Sequence, residues 1–133
     1  MFKKMFGAEG RDEPQFAMPV DAACTTTPSG LKHEILRAGE GRSPKATDSV
    51  TVHYAGWTTD GKLFDSSYAR GSTATFPLNR VISGWTEGLQ LMREGGASRF
   101  VIPSELAYGS RGAPPKIGPN ATLIFQVELV RVG

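Results

Sequence analysis

The run Val50-Thr51-Val52-His53-Tyr54 decides the fold, because its apolar residues recur at every second position, which is the period of a strand with one buried face. Val50, Val52 and Tyr54 then point into a core, while Thr51 and His53 point away from it. Toward the C-terminus, Thr59-Asp60-Gly61 is a tight-turn signal that hands the chain to Leu63-Phe64. Ala97 to Ile102 reads as a further strand, stopped by Pro103, which has no N–H for a ladder. Thr122 to Val132 alternates again, with Leu123, Phe125, Val127 and Leu129 on one face. Toward the N-terminus, Leu31 to Leu36 is a weaker strand closed by Gly39-Glu40-Gly41. Between these strands lies Val81-Ile82-Ser83-Gly84-Trp85-Thr86-Glu87-Gly88-Leu89-Gln90-Leu91-Met92, in which Trp85, Leu89 and Met92 fall at i, i+4 and i+7. That spacing predicts a short helix with a buried stripe. A single helix among antiparallel strands is an α+β layout, with the helix against one face of the sheet.

The chain has 133 residues, enough for one domain with its own core and no need of disulfides or metal. Its 15 Lys and Arg against 13 Asp and Glu leave a formal charge of +2, and the basic residues are scattered. Neither nucleic acid nor an anionic membrane is expected as a partner. Cys24 is the only cysteine, so no intrachain disulfide forms, and the thiol is expected in a mobile arm. Residues 1–29 alternate between charge, isolated prolines and the polar run Thr25-Thr26-Thr27, which predicts a mostly disordered N-terminal arm ahead of a domain over residues 30–133. Phe2, Met5 and Phe6 could form one apolar helical turn within it. The N-terminus breaks into charged residues where a secretory signal needs an apolar run. No stretch reaches the roughly 18 apolar residues of a membrane span, so a cytoplasmic location is expected.

Two loops rich in glycine or proline interrupt the strands, Tyr68 to Thr75 and Ala107 to Asn120. The second carries Tyr108, three prolines and a lone aliphatic residue, Ile117, and proline makes it stiff enough to wall a cleft. Reactive chemistry is scarce. Ser66 and Ser67 follow Asp65, yet the sequence places no histidine to activate them, and His33 and His53 are expected as solvated side chains on strand faces. There is no HExxH, EF-hand or P-loop pattern, so no metal and no cofactor is expected. What remains is a possible concave site of Tyr54, Phe64, Phe76, Val81, Ile82, Trp85, Tyr108, Ile117 and Phe125, with Asp65 beside Phe64. Such a set fits a ligand pocket, mostly apolar with a few orienting polar groups. The Trp85 stripe also fits a plain core helix, and Asp65 also fits a turn or cap position ahead of two serines.

Three stretches, VHYAGWTTDGKLFDSS from Val52, VISGWTEGLQLM from Val81 and AYGSRGAPPKIGPNATLIFQVEL from Ala107, resemble the FKBP-type peptidyl-prolyl cis-trans isomerases. The likeness runs from about Gly30 to Val132. It implies an antiparallel half-barrel of five to six strands wrapped around one short helix, and rotation of Xaa–Pro peptide bonds as the activity, in the service of protein folding. It also implies residue roles. Trp85 would be the platform under the proline ring, flanked by Tyr54, Phe64 and Phe125. Val81 and Ile82 would form a wall, with the Ile82 N–H a donor to ligands. Asp65 and Tyr108 would be the polar pair near the twisting amide, and Ile117 would close the far side. Proline-containing peptides and proteins, and the macrolides that inhibit this family, are the implied partners of a monomeric, minimal single-domain member. Ala74 and Ala113 depart from the best-known eukaryotic members, which often carry phenylalanine and histidine there, and the loop from Phe64 to Trp85 is two residues shorter. Two other classes of function compete with an active isomerase: a holdase or adaptor that keeps the pocket, and an unrelated β-rich carrier of an apolar ligand.

Overall fold

The computed structural model describes residues 13–19 and 23–133; the apolar turn expected at Phe2, Met5 and Phe6 lies outside them. Among the described residues, seven strands form one antiparallel sheet. In chain order they are β1 (Thr25–Thr26), β2 (Lys32–Arg37), β3 (Ser49–Thr58), β4 (Leu63–Ser66), β5 (Ala74–Pro77), β6 (Ala97–Ile102) and β7 (Leu123–Val132). The sheet runs β1-β2-β6-β7-β3-β4, with β5 paired to the free part of β3 beside β4. Two α-helices among the described residues accompany it, α1 (Ser67–Arg70) and α2 (Ser83–Leu89).

The alternation in the sequence is obeyed on the inner face. Val50, Val52 and Tyr54 of β3 and Leu123, Phe125, Val127 and Leu129 of β7 are all buried, together with Trp85, Leu89 and Met92. Register shifts between Ile35 and Arg37, Thr51 and Val52, and Gly56 and Trp57 interrupt the ladders. Such bulges bend a strand and increase its twist, which lets the sheet wrap α2. The helix lies close against β6 because Gly84 and Gly88 face it. A Cβ at Gly84 would sit 2.5 Å from the Ile102 side chain, and one at Gly88 2.7 Å from the Phe100 ring. The missing side chain at Gly84 thus admits a core residue. With seven residues and no side-chain cap on Ile82, α2 is too short to stand alone in water, and this packing holds it.

The outer face departs from expectation. Ala55, Trp57 and Ile124 are buried there, covered by Phe16, Tyr68 and Val101, and Phe16 meets Trp57 edge-on at 6.0 Å between centroids. The expected arm is therefore tied down at Phe16. It is tied again at Thr25–Thr26, which pairs with Lys32 and His33, so the sheet begins five residues before Gly30. Cys24, expected in a mobile segment, is half-buried beside β1. Strand β5 and helix α1 arise inside or next to the predicted Tyr68–Thr75 loop. One turn of helix and four residues of strand are too short to display a period, which explains the higher strand count and the second helix.

Candidate functional site

Tyr54 from β3, Phe64 and Asp65 from β4 and Phe76 from β5 meet Val81 and Ile82, just ahead of α2, and Trp85 in its first turn. Phe125 of β7 and Tyr108, from the loop after β6, complete a cleft of about 460 Å³ that Arg80 also lines. That volume lies within the roughly 300–1,000 Å³ of small-ligand sites. Nine of the ten residues singled out in the sequence are brought together here. The tenth, Ile117, is not: it is buried in the core, and its backbone pairs with Ala113 across the stiff loop. A lone aliphatic residue in a polar loop signals burial without saying whether it faces a cleft or a core.

Trp85 is the floor. Tyr54, Phe125 and Phe76 stand nearly perpendicular to its ring at centroid distances of 5.1, 5.3 and 5.6 Å. Phe64 stands edge-on to Phe125 at 5.4 Å. Each such T-shaped pair contributes about 0.5–1.5 kcal/mol beyond burial, so the box is stiff before any ligand enters. Gly56 makes room for it, since a Cβ there would lie 2.6 Å from the Phe125 ring and 2.7 Å from that of Phe64. The Trp85 indole N–H is buried without a hydrogen-bond acceptor among the described residues.

The polar side of the cleft is a triad with a member that the sequence did not announce. The Tyr54 hydroxyl donates to Asp65 Oδ2 at 2.5 Å, Arg70 Nη2 donates to the Tyr54 oxygen at 3.1 Å, and Arg70 Nη1 pairs with Asp65 Oδ1. Arg70 returns to Asp65 because the chain turns through α1. Ser66 caps that helix by accepting the Ala69 N–H, and Gly71, with φ of 74°, closes it in the left-handed conformation. The serine ahead of the turn was the one available signal. Asp65 is thus neither a cap nor a turn residue.

Burial pushes the Asp65 carboxyl upward, but hydrogen bonds from Tyr54 and Arg70 and the Arg70 charge outweigh it, holding the group below the usual carboxylate value. Burial, reinforced by Asp65, pushes the Tyr54 phenol above its ordinary 10.0. The signs follow by linkage. A depressed acid stabilises the fold above its unfolded value, and that contribution is lost as pH falls through the folded one. A raised phenol contributes below its unfolded value and loses this as pH rises through the folded one. Between these limits Asp65 stays anionic and Tyr54 neutral, so any activity of the cleft is expected to be flat between about pH 6 and 8. A pH profile of turnover checks this, and a steep slope in that window with the fold intact would assign proton transfer to another group.

His53 and Ser67 differ most from the sequence reading. His53 is not solvated: its ring stacks on Tyr68 at 4.7 Å, and Nδ1 lies 2.8 Å from Ser67 Oγ. A serine–histidine pair therefore exists in space although the sequence separates its members. Ser67 is fully buried, however, and its oxygen also accepts the Tyr54 N–H at 2.7 Å and donates to the Tyr54 carbonyl at 3.2 Å. It has no path to a substrate, and fastens β3 to α1. At the mouth of the cleft, Tyr108 is 41% exposed and its hydroxyl has no hydrogen bond among the described residues, and neither has the Ile82 N–H.

A family model described as FKBP-type peptidyl-prolyl cis-trans isomerase matches residues 40–130. The probable FKBP-type isomerase FkpA of Neisseria meningitidis is 57% identical over 108 residues, 81% of this chain and 40% of that protein. The FkpA of Escherichia coli is 50% identical over 107 residues, 80% of this chain and 39% of its own length. The chain thus spans about two fifths of these relatives. Among solved structures, that of Escherichia coli FkpA superposes with a TM-score of 0.81 at 48% identity, covering 84% of this chain and 52% of that one. An isomerase from Pseudomonas syringae gives 0.79 at 40% identity, covering 84% and 81%.

Proposed function

The chain belongs to the FKBP-type peptidyl-prolyl cis-trans isomerase family, and we propose that it accelerates rotation about Xaa–Pro bonds of protein chains by seating the proline on Trp85. The observation that carries this reading is the perpendicular box of Tyr54, Phe76 and Phe125 around that indole, open at a rim that bears Asp65 and Tyr108. Amide resonance sets a barrier of about 18–20 kcal/mol, so an Xaa–Pro bond turns over in roughly tens to hundreds of seconds. Reaching about 10² per second requires about 5–6 kcal/mol of transition-state stabilisation, which needs no covalent intermediate.

The twisted amide has lost resonance and much of its charge separation. An apolar, water-poor cleft therefore favours it over the planar ground state, and hydrogen bonds made only at the twisted geometry add to the effect. The Tyr108 hydroxyl is free to donate to the carbonyl oxygen that rotates, and the Ile82 N–H is free to hold the peptide backbone. Asp65 has both oxygens engaged by Tyr54 and Arg70. It acts through its negative charge and by holding Tyr54 against Trp85.

The test is isomerisation of Xaa–Pro peptides by the wild type and by Tyr108→Phe. The variant keeps the ring and loses one neutral hydrogen bond of about 1–2 kcal/mol, so kcat/KM should fall roughly 5- to 30-fold. An unchanged rate would remove Tyr108 from the mechanism. Absence of turnover in the wild type would leave the cleft a binding module, the holdase reading. Macrolides bearing a prolyl or pipecolinyl ring should compete for the same floor. Their affinity should be lower than for family members with larger side chains at Ala74 and Ala113. The cleft is complete within one chain, which supports a monomeric working unit.

A further inference from the structure

From the charge lining the cleft, we infer that Arg80 selects prolyl segments with an acidic side chain next to the proline; the inference rests on the isomerase reading above and narrows its substrate class. Two charged residues line the cleft, Asp65 and Arg80. Asp65 is already answered by Arg70. Arg80 has neither an ion pair nor a side-chain hydrogen bond among the described residues, so the cleft presents one uncompensated positive charge.

The position of Arg80 is built. It ends a single 3-10 turn, Leu78–Arg80, whose first residue is fully buried. The Leu78 N–H donates to the Asp48 carbonyl at 2.9 Å, and its carbonyl accepts the Thr86 hydroxyl at 2.7 Å. The backbone that carries Arg80 is thereby fixed both to β3 through the preceding turn and to α2. Val81 and Ile82 follow directly and lead to the Trp85 floor. Arg80 is exposed and lines the cleft, so it reads a residue flanking the proline and leaves the ring itself to the aromatic box. A fixed cation beside an apolar cleft attracts carboxylates and repels ammonium groups, and salt screens the effect.

The experiment compares kcat/KM at low and high salt for one Xaa–Pro peptide bearing Glu, Gln or Lys immediately before the proline, and for a second series bearing them immediately after it. The Gln peptide serves as the reference within each protein. At low salt the wild type should prefer Glu over Lys by about threefold or more in at least one series, the size expected of an exposed charge pair. Arg80→Gln should abolish the preference, Arg80→Glu should reverse it, and high salt should shrink it. Equal rates in both series, or a preference that survives Arg80→Gln, would overturn the assignment. Failure to turn over even the Gln peptide would instead count against the isomerase reading. The same ratios are then read as peptide Kd, where they decide the role of Arg80 independently.

Discussion

Trp85→Ala is expected to leave at most about a hundredth of wild-type turnover. The indole is the surface on which a proline ring would rest and also the meeting point of Tyr54, Phe76 and Phe125. Its loss removes the floor and lets three walls collapse inward. Displacements of about 1 Å at a reacting centre cost on the order of 10²-fold. The same substitution opens a void in the core, at a cost of about 3–5 kcal/mol, a large part of the 5–15 kcal/mol or so that holds a typical domain together. Unfolding could therefore mimic loss of catalysis, and Trp85→Phe separates the two. Phenylalanine keeps an aromatic surface and removes the buried indole N–H that has no acceptor among the described residues. It should stay folded and retain more than about a tenth of the turnover. Rates are measured with Xaa–Pro peptides and stability by urea unfolding. A folded Trp85→Ala protein within about threefold of wild type would show that the proline does not sit on this ring.

The contrast between this cleft and its polar support shows what a sequence discloses. The apolar walls were legible because each sits on an element with a period. Tyr54 and Phe125 fall on alternating strands, and Trp85 heads a helical stripe. Those periods also fixed the inner core and the antiparallel, one-helix plan. Phe64, Asp65 and Tyr108 belong to stretches without periodicity; residue type alone made them candidates, and the resemblance to a known family supplied the roles expected of them. The polar support stayed hidden for a geometric reason. Arg70 reaches Asp65 through a helix of one turn, and Ser67 reaches His53 across the gap between α1 and β3. Neither pairing has a characteristic sequence separation.

Ile117 is buried, as its apolar character predicts, but is not among the residues that line the cleft, because apolar character does not say which side of a loop is buried. The burial of Trp57 and Ile124 on the outer face has no sequence signal for a related reason: Phe16 and Tyr68 cover them from segments expected to be arm and loop. The sheet also starts earlier than its first clear strand, because two threonines can pair without carrying a pattern.

The hidden support makes Ser67→Ala costly although Ser67 touches no ligand. Strand β4 leaves β3 after Ser66, which pairs with Ala55, and β5 rejoins β3 only where Ala74 pairs with Val52. Between them the outward N–H and carbonyl of Tyr54 have no strand to meet, and the Ser67 hydroxyl satisfies both while also meeting His53. Removing it strands two buried backbone groups, each at about 1–3 kcal/mol, so a loss of about 2–6 kcal/mol is expected in urea unfolding. Ser66→Ala, which removes only the α1 cap, should cost about 1 kcal/mol. The effect should also reach the cleft, because Ser67 holds the strand that presents Tyr54 to the start of the helix that presents Arg70, and those two side chains fix Asp65. Under conditions where Ser67→Ala remains folded, kcat should fall with little change in KM, and the Tyr54 amide should exchange with solvent much faster than its neighbours in β3. If Ser67→Ala proves no more destabilising than Ser66→Ala and the Tyr54 amide keeps its protection, then water replaces the hydroxyl without loss. The cleft would in that case owe its geometry to the aromatic box alone.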